Sequence, residues 1–84
     1  MASIFHSEYK QFLRQLIAAR KAAGFTQEVL AARLEKKQSF ISKYERGERR
    51  LDVVEFLGIA KAIGIDPIIF IRDFINSSLK EGDA

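Results

Sequence analysis

Apolar residues recur at helical spacing along most of the chain. Tyr9, Phe12, Leu13, Leu16 and Ile17 fall at i, i+3, i+4, i+7 and i+8, the stripe that one face of an α-helix lays against a core. Ser7 is available as an N-cap, and Gly24 tolerates the left-handed conformation that closes a helix. A first helix is therefore expected over about residues 8–23.

Thr26 then caps a second, short helix in TQEVLAARL, with Leu30, Ala31 and Leu34 facing the core and Gln27 and Glu28 in the first turn. The small side chain of Ala31 lets a neighbouring helix come close. Glu35, Lys36 and Lys37 make a polar break before QSFISKYERG, where Ile41 and Tyr44 are an i, i+3 core pair in a third helix that is otherwise polar.

The segment from Leu51 to Phe56 carries several helix-start signals at once. Asp52 caps, Glu55 completes a capping-box pair, and Leu51 can staple against Phe56. Phe56, Leu57, Ala60 and Ile63 are the expected buried stripe of this fourth helix, which Gly64 ends. Asp66 followed by Pro67 opens a fifth helix expected to run to about Leu79, with Lys80–Ala84 as a frayed tail. No strand-like alternation, internal repeat or linker interrupts the pattern. The expected fold is all-α, a compact five-helix bundle in one domain over residues 1–84, with its core over about 8–79.

Composition narrows the chemistry. A chain of 84 residues has room for one small core. It contains no cysteine, which excludes disulfides and cysteine-ligated zinc and fits a reducing cytoplasm. A single histidine, His6, leaves no basis for a metal centre, and no cofactor is expected. The N-terminal stretch lacks the apolar region of a secretory signal, and no apolar run approaches the ~20 residues that span a bilayer. Asp52 and Asp66 are accounted for as caps, and Glu55 and Asp73 as capping or helix-surface residues. No nucleophile–base pair or phosphate-binding glycine loop remains, so an enzyme is not expected. Residues 1–50 carry eleven Lys/Arg against five Asp/Glu, a charge of +6, whereas residues 51–84 carry −3. The first half is where a polyanion would dock.

Two short helices joined by a three- to four-residue turn, over about residues 26–46, make a helix-turn-helix. In that motif the first helix crosses the DNA backbone and the second enters the major groove. The segments TQEVLAARL, QSFISKYERGERR and LGIAKAIGID resemble the Cro and phage-repressor type, the Xre-like family, over roughly Phe12–Phe70. The resemblance implies a lambda-repressor-like DNA-binding domain that regulates transcription. One departure stands out: Glu35 and Lys36 occupy positions where many relatives have a glycine and an apolar residue, which bears on the geometry of the turn.

At the start of the third helix, Gln38 is the leading candidate for reading a base, since a Gln amide can bond adenine N6 and N7 together. The resemblance assigns that position the same role. Ser39, Ser42 and Lys43 lie on the accessible face. Phe40 has two readings, contact with a thymine methyl or sugar, or packing on the first helix. Phosphate contacts are expected from Gln27 at a helix N-terminus and from Lys37, Arg46, Arg49 and Arg50. Glu45 and Glu48 would repel phosphate, so they are expected to face inward or to pair with basic neighbours.

The fifth helix is apolar on more than one face. Phe70 and one or two neighbours can finish the core, which leaves Ile68, Ile69, Ile71, Phe74, Ile75 and Leu79 for a two-fold dimer interface, with part of the fourth helix. A homodimer would set two recognition helices ~34 Å apart on double-stranded DNA with a near-palindromic operator. No small-molecule effector is expected. The alternative functions are a protein-interaction module and an antitoxin component built on the same fold. The former would not need Gln38, Lys43 and the ERGERR cluster together.

Overall fold

Five α-helices follow one another, α1 (Ile4–Ala22), α2 (Gln27–Leu34), α3 (Gln38–Glu45), α4 (Val53–Ile63) and α5 (Pro67–Phe74), and α5 continues into a π-helical turn, Ile75–Leu79. The computed structural model describes the backbone of residues 4–79 and the side chains of residues 7–77. The expected fraying of Lys80–Ala84, and the side chains of His6 and Leu79, lie outside these limits.

Most helix starts are held as their sequences require. Thr26 Oγ1 accepts from Val29 N at 3.1 Å. Asp52 Oδ1 accepts from Glu55 N at 2.7 Å while Asp52 N donates to Glu55 Oε1 at 3.0 Å, a complete capping box. Asp66 Oδ1 accepts from Ile68 N at 2.8 Å, with Pro67 in the first turn. The first helix differs from expectation. It begins at Ile4, so Ser7 lies inside it and is not a cap. Residues 4–7 contain no Gly or Pro, and extending an established helix costs far less than nucleating one.

Leu16, Leu30, Ile41, Tyr44 and Ile59 are the largest fully buried side chains, drawn from α1 to α4, and Phe70 joins them from α5. Phe12 sits at the centre of an aromatic group, with ring centroids 5.4 Å from Phe56, 5.6 Å from Phe70 and 5.9 Å from Phe74. The buried stripe of α4 is Phe56, Ile59, Ala60 and Ile63, not the set containing Leu57, which is 45% exposed. Ile59 completes the i, i+3, i+4, i+7 series from Phe56; Leu57 is rotated about 100° off that face.

The turn after α2 closes on Glu35, the one non-glycine residue with positive φ among those described (φ 56°, ψ 43°). Glu35 N donates to Ala32 O at 3.1 Å and Lys36 N to Ala31 O at 2.9 Å. These are the paired bonds that end a helix at a left-handed residue. The turn thus keeps the geometry that a glycine would give, with a glutamate in a conformation that disfavours it by ~1–2 kcal/mol.

Candidate nucleic-acid interface

The α2–α3 pair is fixed from behind. α2 packs on α3 and α4, and α1 packs on α3. Burial of Ile41 and Tyr44 orients α3 so that Gln38, Ser39 and Lys43 are exposed and Ser42 is half-buried. Lys37 precedes α3 in extended conformation and gives it no side-chain cap. Phe40 N donates to Lys37 O at 3.0 Å, so the N–H groups of Gln38 and Ser39 are the first-turn donors of α3 available to an incoming acceptor. The Tyr44 hydroxyl is buried without a hydrogen-bond partner. Its burial, reinforced by the neighbouring Glu45 carboxylate, holds its pKa well above the usual tyrosine range, so it stays neutral.

A chain of polar contacts runs from the interior to the exposed start of α3. Arg20 Nε donates to Glu45 Oε2 at 2.8 Å and Arg20 Nη2 to Glu45 Oε1 at 3.1 Å, with both side chains less than a tenth exposed. Arg20 Nη1 also donates to Phe25 O at 2.7 Å, tying in the loop before α2. Glu45 Oε1 accepts a further bond from Gln27 Nε2 at 2.8 Å, and Gln27 Oε1 accepts from Gln38 Nε2 at 3.3 Å. The buried ion pair therefore sets the rotamer of Gln27, and Gln27 restrains Gln38 where it projects from the protein. Glu45 faces inward and Glu48 pairs with Arg46 at 2.9 Å, the two arrangements expected of these acids.

Phe40 is half-buried and packs against the core, its ring 5.7 Å from that of Tyr44. Cations cover it: Lys36 Nζ lies 5.4 Å and the Arg49 guanidinium 4.8 Å from the ring centroid. Of the residues expected at the bases, Phe40 is the one whose side chain has a packing role. Arg49 is also engaged, with Nη2 to Glu55 Oε2 at 2.7 Å and Nη1 to Glu55 Oε1 at 3.0 Å. The Arg49 guanidinium, and then the Asp52 N–H, hold the Glu55 carboxyl down at about 2. The cluster Phe40, Arg49, Glu55 thus joins α3 to the start of α4.

The remaining basic residues differ in how far they are committed. Arg46 bonds Glu48 and donates to Ser42 Oγ at 3.0 Å. Its charged form is favoured chiefly by the hydrogen bond to Glu48, which in turn stays ionised below the ordinary glutamate range. Arg50 lies over the Tyr9 ring at 4.3 Å. Lys37 and Lys43 are exposed and in none of the ion pairs among the described residues.

The sequence did not single out Arg20, Glu55 as the partner of Arg49, or Lys10 and Arg14 of α1, which border the loop after α3. Only Arg20 had left a signal: it continues the buried series Leu13, Leu16 at i+7, where a charge requires a buried partner.

A short capped helix, a three-residue turn and a second helix presenting an exposed polar start define a helix-turn-helix DNA-binding protein. A helix-turn-helix family model matches residues 16–70, and the chain belongs to this family, in its XRE, or Cro and phage-repressor, branch. It is similar to the solved structure of an XRE-family like protein from Pseudomonas syringae pv. tomato str. DC3000, with 45% identity and a TM-score of 0.85 over 89% of this chain and 92% of that one. It is also similar to a point mutant of the restriction-modification controller protein C.Esp1396I, with 27% identity and a TM-score of 0.77 over 87% of this chain and 92% of that one. No curated protein matches. The family, with its all-α bundle, is one of DNA-binding transcriptional regulators. No helix among the described residues is long and apolar enough to cross a membrane.

Proposed function

We propose that the chain is a sequence-specific regulator that binds a near-palindromic operator as a homodimer, with α3 in the major groove. The observation that carries this reading is the restrained, exposed Gln38. A glutamine that donates, at 3.3 Å, to a side chain fixed by a buried ion pair is biased towards that orientation, which lowers the entropic cost of bonding a base edge. Gln38 reads an adenine, Ser39 and Lys43 contact neighbouring bases, and Ser42 shares its hydroxyl with Arg46. Phe40 supports α3 from its inner side. Lys37, Arg50 and the main chain at Gln27 meet phosphates, whereas Arg46 is held by Glu48 and Arg49 by Glu55.

The exposed isoleucines of α5 supply the dimer contact. Ile68, Ile71 and Ile75, with Ile69 beside them, remain accessible, and Val53, Val54 and Leu57 of α4 are exposed as well. Phe74 is half-buried against Phe12 and contributes more to its own core. Control comes through protein concentration and the dimer equilibrium, without a small-molecule effector. Binding, not catalysis, is the activity.

Selection of bound duplexes from a random DNA library at near-physiological salt tests this directly. An enriched palindrome is expected; weak, salt-sensitive binding with no enriched sequence would overturn it. On the selected site, Gln38→Ala is expected to cost ~1–3 kcal/mol and to relax preference at one base pair.

A further inference from the structure

A cleft of about 270 Å³ lies between α1 and the loop that follows α3, bordered by Tyr9, Lys10, Arg14, Glu45, Arg46 and Arg50, among others. Four cationic side chains and one carboxylate meet there, and their commitments differ. Glu45 is taken up by Arg20 and Gln27, and Arg46 by Glu48. Lys10, Arg14 and Arg50 take part in none of the ion pairs among the described residues. The cleft therefore carries about three uncompensated positive charges.

Its donors are also positioned. Arg50 is held over Tyr9, its guanidinium carbon 4.3 Å from the ring centroid, a cation–π contact that leaves guanidinium N–H donors for an oxyanion. Tyr9 is itself fixed, its hydroxyl accepting from Leu51 N at 3.2 Å. Arg14 Nη2 donates to Gln11 Oε1 at 2.9 Å, which holds the side chain along α1 and leaves its other donors open. Lys10 is one helical turn before Arg14 on the same face of α1. Two guanidinium forks and an ammonium around one space suit a tetrahedral oxyanion, whose several oxygens accept bonds from different directions.

We propose that this cleft is a phosphate-binding site formed by Lys10, Arg14 and Arg50. The site itself follows from the cleft; that its phosphate belongs to the DNA backbone rests on the function proposed above. On that reading, α1 adds phosphate contacts to those of the helix-turn-helix and lengthens the footprint beyond the groove that α3 occupies.

Two arms test the site on the full chain. In the first, the isotopically labelled protein is titrated with inorganic pyrophosphate, following the Gly47 amide and the arginine Nε–H signals. Saturable shifts are expected in the unmodified chain and their loss in Lys10→Gln/Arg14→Gln. In the second, duplex affinity is measured against salt concentration. The same double variant is expected to flatten the slope of log K against log salt by about two. The charge-preserving exchange Lys10→Arg/Arg14→Lys should keep the original slope, and circular dichroism checks that each variant folds. A reduced slope assigns the phosphate to DNA. Saturable pyrophosphate binding in a chain that binds no duplex would keep the site, assign it to a free anion and overturn the DNA reading alone. An unchanged slope together with no saturable shift would overturn the site.

Discussion

Arg20 is buried where a helix would ordinarily place another leucine, and its charge is balanced by two bonds to Glu45 and one to the Phe25 carbonyl. Removing one partner of such a pair leaves the other charged and desolvated, which costs ~3–5 kcal/mol. Arg20→Leu is therefore expected to destabilise the fold by about that amount in urea unfolding. A variant that unfolds at the original midpoint would show that the pair contributes little. Because Glu45 also holds Gln27, and Gln27 holds Gln38, the change should loosen the exposed glutamine as well. The inward orientation of Glu45 was legible because an acid cannot sit comfortably against phosphate. Its partner was not legible, since 25 residues separate the two and only folding brings them together.

Among the elements, the α2–α3 turn and the start of α4 show how local sequence and tertiary contact divide the work. Glu35 adopts φ 56° at the helix end where a glycine would be unstrained. Glu35→Gly relieves that strain but raises the entropy of the unfolded chain. It should stabilise the protein by a net ~0.5–1 kcal/mol, read as a higher thermal midpoint at unchanged DNA specificity. The resemblance to a glycine-bearing turn made the position visible; the backbone angles explain why the turn survives the substitution.

Glu55 has a second duty beyond its capping box, since it also holds Arg49. Its folded-state pKa lies at about 2, below the ordinary 4.5. The stabilisation is therefore complete above the unfolded value and is lost as pH falls from about 4.5 towards 2. Glu55→Gln should shrink the acid-side loss of stability between those pH values, measured as the change in urea midpoint with pH. An acid limb as steep as that of the unmodified chain would place the titrating group elsewhere. The capping half of this arrangement was legible from Asp52 and Glu55 three residues apart. The Arg49 half depends on how the loop folds back over Phe40.

At the scale of the molecule, charge and apolar surface are segregated. The basic first half holds α2 and α3, while the second half leaves isoleucines of α5 and valines of α4 exposed, with Ile68 at 75% and Val54 at 76%. A surface helix in a small monomer does not ordinarily keep so much apolar area in water. Ile71→Asp is expected to give monomers in sedimentation equilibrium and to weaken binding to a palindromic site far more than to a half-site. Dimers that persist would locate the interface on another face. Phe74 is a poorer position for this test, because its ring packs on Phe12 and its loss would disturb the fold.

Helical periodicity, three capping residues and the spacing of a short helix, a polar turn and a second short helix were local properties, so the sequence by itself determined the all-α fold class and the position of the helix-turn-helix. Exposed candidates such as Gln38 and Lys43 followed from the same periodicity. Tertiary structure alone decided which partners those residues found. It placed Ile59 rather than Leu57 in the core, turned Phe40 inward, joined Arg20 to Glu45 and Arg49 to Glu55, and gathered Lys10, Arg14 and Arg50 around one cleft. Periodicity tells which way a side chain points along its own helix; it carries no information about which distant side chain will meet it there.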